Sequence, residues 1–424
     1  MRADGEYRRG VTVIEGHHMK VLICDSFEEI GLRGLRDAGC DVTCDPALQG
    51  DALRDAVASV RPAILIARST RITAEMIEAA DTLGLIIRAG AGYNTIDVAT
   101  ASARGVAVAN CPGKNAVAVA ELTFALILSL DRRVAECVGD LAQGRWKKKE
   151  YAKARGLKGR TLGVVGTGGI GREVIRRAAA FEMPVVAWSR SLTDARAAEL
   201  NVTRCERPAD VAERCDILTI HVAAAPETRN LINAEVLARL KPGSYVINTS
   251  RAEVVDHDAL AKAVEAKQLR VGLDVFPDEP STGIAEFNPP ILQAGGIVYG
   301  THHIGASTAQ AQQAIAREVV RMAAVYAETG AVPNCVNFES MSKTQCQMVV
   351  RHYDKVGVLA SVLDAISRAD ISVEEMTNTI YRGRRAAVAV LRLDKQPASE
   401  VVKSIAGMKD KVIHVEVQPG LPPR

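Results

Sequence analysis

Three segments in the second half of the chain carry residue types that suit acid–base and redox chemistry. They contain His302 and His303 in THHIGAST, Arg251 in NTSRAEVVD and Glu279 in LDVFPDEP. A histidine can exchange a proton near neutral pH, and an arginine can polarise an oxygen and hold a carboxylate. A glutamate behind the histidine would orient its ring and stabilise its charged form. This combination suits the interconversion of a hydroxy acid and a keto acid beside a bound hydride carrier.

A glycine-rich segment predicts the binding site of such a carrier. LGVVGTGGIGREV has Gly166, Gly168 and Gly171 in the spacing G-x-G-x-x-G, with Gly169 and Ile170 between them, at a predicted strand-to-helix turn. The first glycine allows the tight turn, the second lets the backbone approach a pyrophosphate, and the third lets the helix pack on the strand. We therefore expect a dinucleotide here.

The segment WSRS bears on the choice between NAD and NADP. A carboxylate for the ribose hydroxyl of NAD is expected at the end of the next strand, but the chain has Ser189 and Arg190 there. A serine can hydrogen-bond a phosphate and an arginine can pair with one, which favours NADP; alternatively, Arg190 covers the adenine from outside. The sequence leaves the preference open.

The chain around these segments alternates short apolar runs with amphipathic ones. One series precedes residue 113, and a second runs from TLGVVG (161–166) to RVGLDVF (270–276). Such βαβα alternation predicts doubly wound parallel sheets, whose strand ends open onto a shared crevice. Long helices are predicted over 116–138 and 307–330. We expect the first to leave one domain and the second to return to it, so that the second domain is an insertion.

After Pro333 the period changes to a βαββαβ pattern, which predicts a small ferredoxin-like domain. The whole chain is then divided into an N-terminal extension (1–18), a substrate-binding domain (19–112 and 306–332), a dinucleotide-binding domain (113–305), a linker (333–343) and a regulatory domain (344–424). Residues 1–18 lack the apolar core of a signal peptide, so they are an extension or an overlong start before Met19.

Composition narrows the class of protein and its partners. The length of 424 residues, with 48% hydrophobic and 24% charged residues, indicates a globular protein of two or three domains. The net charge of +3 argues against nucleic acid or a membrane as partner. No apolar run reaches the roughly 18 residues of a membrane span. The nine scattered cysteines lack a C-x-x-C pair and predict reduced thiols in the cytoplasm, without a metal site.

Several motifs in one order resemble the D-isomer-specific 2-hydroxy acid dehydrogenases between about Lys20 and Val332. Besides the segments above, they are RAGAGYNTID (88–97), NCPGKNAVAVAEL (110–122) and HVAAAPETRNLIN (221–233). The resemblance implies a Rossmann cofactor domain inserted in a flavodoxin-like substrate domain. It further implies that Arg251 polarises the substrate, that Glu279 is the carboxylate partner and that His303 is the acid–base residue, with His302 as a bystander.

The resemblance also implies which residues surround the ligands. Further cofactor contacts would come from Val222, Thr249, Ser250, Asp274 and Gly305, with Asp274 meeting the nicotinamide amide. The turn of Ala91 and Gly92 would face the substrate carboxylate with its backbone N–H groups. Ala252 and Ala223 replace a usual glycine and a usual proline, which bears on cofactor geometry more than on catalysis.

Long members of the family act on D-3-phosphoglycerate, so the resemblance implies its oxidation to 3-phosphohydroxypyruvate, the first step of serine biosynthesis. Arg68 and Ser69 resemble the loop that contacts the phosphate, and Lys114 lies near the facing wall. The basic run GRWKKKEYAKARGLKGR (144–160) is either a solvated face or a positive field for an anionic substrate, including that of a neighbouring subunit in a homodimer or homotetramer.

The segment CQMVVRHYDKVGVLASVL resembles the opening of an ACT domain, with Asp354 and Gly357 in its ligand turn. An amino-acid effector is the implied partner, although the serine-sensing version has asparagine in place of Asp354; a module for assembly without a ligand is the alternative. Two other functions stay open. One is an NADPH-dependent reductase of glyoxylate, hydroxypyruvate or another 2-keto acid, and the other is a dinucleotide-sensing scaffold without turnover.

Overall fold

The computed structural model describes residues 19–280, 284–339 and 346–419. The chain forms two compact units, with the boundary between Asn337 and Phe338. The predicted extension (1–18) and the end of the predicted linker (340–343) lie outside the described residues. Within the described ranges, no helix is both long enough and apolar enough to cross a membrane.

A five-stranded parallel sheet forms the first part of the larger unit. Its strands are β1 (Met19–Ile23), β2 (Cys40–Cys44), β3 (Ile64–Ala67), β4 (Leu85–Arg88) and β5 (Ala107–Ala109). The connecting helices are α1 (Glu29–Asp37), α2 (Gly50–Val60), α3 (Ala74–Glu78) and α4 (Val98–Ala103). The strand order β2-β1-β3-β4-β5 is the flavodoxin-like order, which confirms the prediction for this part of the chain. The inner strand β3 is apolar throughout and β4 is apolar up to Arg88, because helices cover both faces of the sheet.

The predicted helix over 116–138 is interrupted. Helix α5 (Ala116–Arg132) ends at Arg133, whose φ of 53° is left-handed, and α6 (Val134–Ala142) begins directly after it. The guanidinium of Arg133 lies 5.1 Å from the ring centre of Tyr151, within the short helix α7 (Lys148–Tyr151), and donates to Glu150 at 3.0 Å. The apolar residues that run through both helices conceal this break in the sequence.

A seven-stranded parallel sheet follows. Its strands are β6 (Leu162–Val165), β7 (Val185–Trp188), β8 (Thr203–Arg204), β9 (Ile217–Ile220), β10 (Tyr245–Asn248), β11 (Arg270–Leu273) and β12 (Ile297–Gly300). Its helices are α8 (Gly169–Ala180), α9 (Asp194–Glu199), α10 (Pro208–Arg214), α11 (Ala234–Arg239) and α12 (His257–Lys267). The order β12-β11-β10-β9-β6-β7-β8 is the Rossmann order with one added edge strand. The direction of winding reverses between β6 and β9, which is where such sheets bind their ligands.

Two long helices link the sheets as predicted. Helix α5 packs in the core of the seven-stranded sheet, where Phe124 and Ile127 are buried with β6 and β10. Helix α13 (Ala309–Thr329) returns to the five-stranded sheet and buries Ile315 and Met322 among β1, β3 and β4. It ends at Gly330 in a left-handed conformation, with φ of 71°. The Rossmann sheet is therefore inserted in the flavodoxin-like part of the chain.

The smaller unit has the predicted βαββαβ pattern. Its elements are β13 (Cys346–Tyr353), α14 (Val358–Arg368), β14 (Val373–Ile380), β15 (Ala386–Leu393), α15 (Ser399–Ala406) and β16 (Val412–Pro419). The four strands form an antiparallel sheet in the order β14-β15-β13-β16, as in ferredoxin-like folds. Alternate residues of β13 and β15 point into one core, including Met348, Val350, Ala389 and Leu391.

Candidate active site

The glycine-rich turn after β6 leaves open space at the beginning of α8. Gly166 has φ of 101°, and a Cβ there would lie 2.5 Å from the carbonyl oxygen of His221. A Cβ at Gly171 would overlap the carbonyl oxygen of Gly166, so both positions require glycine. At Gly168 the Cβ position has no atom within 4 Å. The turn can therefore accept the pyrophosphate of a dinucleotide, with the helix N-terminus directed at the anion.

Hydroxyl groups, without a carboxylate, lie at the end of β7. The Ser189 Oγ is 2.8 Å from the Oγ1 of Thr167, which belongs to the glycine-rich turn. The exposed guanidinium of Arg190 lies 4.0 Å from the carboxylate of Glu227. Since Arg190 is loosely paired and solvent-accessible, it is free to meet a phosphate on the ribose. Val222 adjoins the same turn, because a Cβ at Gly166 would lie 2.9 Å from its Cγ1.

The buried Asn248 holds the turn that carries Arg251. Its Oδ1 accepts hydrogen bonds from the N–H and Oγ of Ser250, at 3.0 and 2.8 Å, and its Nδ2 donates to the carbonyl oxygen of Arg251 at 2.9 Å. Thr249 is anchored to α5 through its Oγ1, which is 3.0 Å from the Oγ1 of Thr123. The predicted residues Thr249 and Ser250 therefore fix the backbone around the arginine, and Asn248 is a site residue that the sequence did not identify.

The guanidinium of Arg251 meets the turn of Ala91 and Gly92 from the other sheet. A Cβ at Gly92 would overlap Nη2 of Arg251, so only glycine allows this approach. Nη1 donates to the carbonyl oxygen of Ser250 at 2.7 Å, which restrains the side chain. Asn110 Nδ2 donates to the carbonyl oxygen of Ala91 at 2.6 Å and fixes the turn. Two groups predicted to hold a substrate carboxylate thus come together from sequence-distant elements.

His303 and Glu279 form a close pair at the carboxyl ends of β11 and β12. The imidazole Nδ1 lies 2.7 Å from Oε2 of Glu279, and the other carboxylate oxygen accepts from the backbone N–H of Phe276 at 2.8 Å. Burial alone would raise the pKa of Glu279, but these two hydrogen bonds and the positive charge of Arg251 hold it below its ordinary value. The glutamate is therefore ionised at neutral pH and holds Nδ1 of the ring, which leaves Nε2 as the nitrogen available to a substrate.

Asp274 organises the loop that presents this histidine. Its carboxylate is almost fully buried and accepts hydrogen bonds from Thr301 Oγ1 at 2.6 Å, from the N–H of Ile304 at 2.9 Å and from the N–H of Gly305 at 2.8 Å. His303 itself has a left-handed backbone, with φ of 53°. These bonds stabilise an otherwise unfavourable conformation at the residue. Asp274, predicted as a cofactor contact, is placed by the structure beneath the histidine loop.

Asp25, at the end of β1, orders the loop of Arg68 and Ser69. Its Oδ2 accepts from the N–H groups of Arg68, Ser69 and Thr70 at 2.6, 3.2 and 3.2 Å, and its Oδ1 accepts from the hydroxyls of Ser69 and Thr70 at 2.7 and 3.1 Å. Burial would raise the pKa of Asp25, but these bonds lower it. The hydroxyl of Ser69 is thereby engaged, and the Arg68 side chain is the group left for a substrate.

Lys114 is paired with a carboxylate of the larger unit, and the two predicted effector residues belong to the smaller unit. The ammonium of Lys114 is 3.1 Å from the carboxylate of Glu318 on α13, so its charge is already compensated. Asp354 and Gly357 belong to the smaller unit, where Gly357 has φ of 82° and begins α14. The N–H of Asp354 donates to the carbonyl oxygen of Arg385 at 3.2 Å. The turn between β13 and α14 therefore has a defined conformation.

The sheet order, the open glycine turn and the polar residues at the strand ends together define a dinucleotide-binding protein of the doubly wound α/β class. The model of the D-isomer specific 2-hydroxyacid dehydrogenase NAD binding domain matches residues 124–305. The chain is also 39% identical to a hydroxypyruvate reductase of Thermotoga maritima over 259 residues, which cover 61% of this chain and 82% of that protein. The chain belongs to the D-isomer-specific 2-hydroxyacid dehydrogenase family.

Two further comparisons refine the likeness. A D-3-phosphoglycerate dehydrogenase of Mycobacterium tuberculosis is 36% identical to this chain over 335 residues. The aligned residues cover 78% of this chain and 61% of that enzyme, so the chain spans less than two thirds of that relative's length. A solved NADPH-dependent glyoxylate/hydroxypyruvate reductase of Sinorhizobium meliloti, in complex with NADP and malonate, has a TM-score of 0.64 and 26% identity, covering 76% of this chain and 97% of that one. The predicted cofactor class, NAD or NADP, is confirmed by the family match.

Proposed function

We propose that the protein oxidises D-3-phosphoglycerate to 3-phosphohydroxypyruvate, with NAD or NADP as the hydride acceptor. The observation that carries this proposal is the imidazole of His303, 2.7 Å from the Glu279 carboxylate. In the same unit, Arg251 lies against Gly92. The curated relatives named D-3-phosphoglycerate dehydrogenase support the substrate, at 32–36% identity.

The proposed chemistry assigns one task to each group. The glycine turn of Gly166, Gly168 and Gly171 would hold the dinucleotide, which would supply the hydride acceptor for carbon 2 of the substrate. His303, neutral at first, accepts the hydroxyl proton at Nε2, and the Glu279 carboxylate stabilises the resulting imidazolium through Nδ1. Arg251 holds the substrate carboxylate and polarises the oxygen as its carbonyl forms. The backbone N–H groups of Ala91 and Gly92 complete the carboxylate site.

Substitution of His303 tests whether the protein is an enzyme. We expect His303→Ala to lower kcat by at least about 10²-fold, the low end for acid–base groups, while NAD or NADP binds as in the wild type. His302→Ala is the matched control, because His302 is its exposed neighbour in the chain. Unchanged turnover in His303→Ala would remove the histidine from the mechanism, and a wild type that binds dinucleotide without turnover would favour the scaffold function.

A second candidate is an NADPH-dependent reductase of glyoxylate or hydroxypyruvate. It is favoured by Ser189 and Arg190, which replace the carboxylate expected for NAD, and by the relatives with such names. Initial rates with NAD and NADP, each measured with phosphorylated and unphosphorylated acids, distinguish the two. Activity confined to unphosphorylated acids with NADPH would establish the second candidate and reject the first.

We also propose that the smaller unit binds an amino-acid effector at the turn of Asp354 and Gly357. The left-handed Gly357 supports this, because it exposes the N-terminus of α14 beside Asp354. Titration calorimetry of the full chain with a panel of amino acids, including serine, tests it. Binding to the wild type that Asp354→Ala abolishes is expected, whereas a panel without binding would leave assembly as the role of this unit.

A homodimer or homotetramer in the cytoplasm is the proposed working form. Val134, Val138 and Leu141 of α6 and Trp146 after it are exposed at 45%, 60%, 53% and 78%, which supports burial against another copy. All nine cysteines are free thiols, which agrees with a reducing compartment. Light scattering after gel filtration should give two or four chains per particle, and a monomer at micromolar concentration would contradict the proposal.

A further inference from the structure

The last residues of the larger unit pack against β5, the edge strand of the five-stranded sheet. Cys335 forms an antiparallel bridge with Ala109. The side chain of Asn337 continues this pairing, because its Oδ1 accepts a hydrogen bond from the N–H of Val108 at 2.8 Å. The 334–337 segment therefore covers the edge of this sheet directly before the chain enters the smaller unit.

Asn334, the first residue of this segment, links α13 to the end of β5. Its backbone is left-handed, with φ of 57°. Its Nδ2 donates to the carboxylate of Glu318 on α13 at 2.8 Å and to the carbonyl oxygen of Asn110 at 3.3 Å. The carbonyl oxygen of Asn334 accepts from the N–H of Asn110 at 3.4 Å. Both polar groups of the Asn110 main chain are therefore bonded to Asn334.

Glu318 gives Asn334 a fixed, charged acceptor. The glutamate is almost fully buried, and it also binds Arg321 Nη2 at 2.6 Å and the ammonium of Lys114 at 3.1 Å. The hydrogen bond from Arg321, together with those from its other two partners, lowers the pKa of the carboxyl to about 2, although burial acts in the opposite direction. The carboxylate is therefore ionised at neutral pH, and its hydrogen bond with Asn334 is charge-assisted.

Asn110 connects this arrangement to the turn of Ala91 and Gly92. Its main chain is bonded to Asn334, while its side-chain Nδ2 donates to the carbonyl oxygen of Ala91 at 2.6 Å. The carbonyl of Ala91 and the N–H of Gly92 belong to one planar peptide group. A bond that fixes the direction of this carbonyl therefore also fixes the direction of the N–H. Asn110 is buried, so a loss of its hydrogen bonds is not made good by water.

We propose that Asn334 is a positioning residue for substrate binding, which acts through Asn110 on the peptide group between Ala91 and Gly92. This inference rests on the proposed function, in which the N–H of that peptide group binds the substrate carboxylate. Without the Asn334 side chain, Asn110 loses one of its restraints and the N–H of Gly92 is less well directed. The expected defect is in affinity for the acid, with or without a phosphate, while the dinucleotide binds as before.

Asn334→Gly in the full chain removes the side chain and keeps the left-handed backbone, which glycine adopts readily. KM should rise about tenfold for D-3-phosphoglycerate and for D-glycerate, with kcat within about twofold, because a buried carbonyl oxygen and a carboxylate each lose a hydrogen bond. The dissociation constant of NAD or NADP, measured by calorimetry, should stay within about twofold. Asn201→Gly is the matched control, because Asn201 is an exposed asparagine with a left-handed backbone, with φ of 52°.

Asn110→Ala and the double variant test the route of this effect. Asn110→Ala should raise KM at least as much, and adding Asn334→Gly should raise it no further, because residues that act through one group are not additive. Additive losses, an unchanged KM in Asn334→Gly, or an equal loss of dinucleotide affinity would overturn the role of Asn334.

Hydrogen exchange decides the outcome if Asn110→Ala does not fold. The amide groups of residues 90–92 should exchange faster in Asn334→Gly than in the wild type, because the turn opens more often. Unchanged exchange there would overturn the proposal. Failure of the proposed function is distinguishable, because it appears in the wild type as absent turnover of D-3-phosphoglycerate, whereas the exchange measurement needs no substrate.

Discussion

Two basic regions of the larger unit differ in how their charge is compensated. The run 144–160 contains eight lysines and arginines, yet Arg145 and Lys147 pair with Asp140, Lys158 pairs with Glu182 and Arg160 with Asp131. Arg88 and Arg251 are far apart in the sequence, but the fold brings both guanidinium groups to the turn of residues 90–92, and neither forms an ion pair with a described carboxylate. Basic residues that are clustered in the sequence therefore do not identify a binding site for an anion. Basic residues that the fold brings together without ion pairs are the better guide.

The largest effect is expected from Arg251, whose guanidinium lies against the turn of Gly92. Arg251→Met should lower kcat/KM by about 10³-fold with every 2-hydroxy acid, because the substrate carboxylate and the developing oxygen charge lose the same partner. Steady-state rates with D-3-phosphoglycerate and D-glycerate measure this loss. A loss limited to the phosphorylated acid would show that Arg251 binds the phosphate instead of the carboxylate.

An intermediate effect is expected at Asp25, which positions Arg68. Asp25→Asn removes the charge that holds three N–H groups and two hydroxyls, so the loop should loosen and KM for D-3-phosphoglycerate should rise about tenfold, with kcat within about twofold. Asp55→Asn on α2 is a control at an exposed carboxylate. An equal fall in kcat would indicate that Asp25 affects the chemical step itself.

The pH dependence of Tm should show how much the ionised Glu279 carboxylate stabilises the fold. The pKa of Glu279 is lower in the folded protein than in the unfolded chain. Its hydrogen bonds with His303 and Phe276 therefore stabilise the fold at pH values above the unfolded-state pKa. This contribution is lost as pH falls through the folded-state pKa. Glu279→Gln should therefore lower Tm at pH 7 by a few degrees, and the difference from wild type should shrink as pH falls below the ordinary pKa of a glutamate, about 4.3. A difference in Tm that is constant from pH 7 to pH 3 would contradict this.

The smallest effect is expected in the basic run 144–160, where four of the eight basic residues form ion pairs. Replacing Lys148, Lys149 and Lys153 by glutamine should change kcat/KM by at most about threefold, and 0.5 M salt should remove even that change, because screened surface charges act only at long range. Rates at two salt concentrations test this. A loss of tenfold or more would show that the run acts on the substrate, from its own subunit or a neighbouring one.

The sequence predicted the architecture because its patterns are local. Apolar strands, the glycine turn and the cap at Gly330 each specify nearby structure, and the order of motifs supplied the arginine, glutamate and histidine of the site. It could not predict the break at Arg133, since apolar residues continue across it. Nor could the sequence predict which basic residues form ion pairs. Lys114 meets Glu318 only because α13 returns to the first sheet. Asp25 and Asn248 share one usable signal, since Asn248 ends a buried parallel strand and Asp25 lies two residues after another.

The preference of the wild-type protein for a phosphorylated substrate tests the central claim most directly, because that claim is that the site of Arg251, Glu279 and His303 oxidises D-3-phosphoglycerate. The measurement is the ratio of kcat/KM for D-3-phosphoglycerate to that for D-glycerate, with the better of NAD and NADP at saturation. A phosphate bound by a charged side chain predicts a ratio of at least about 10². A ratio near one would contradict the account.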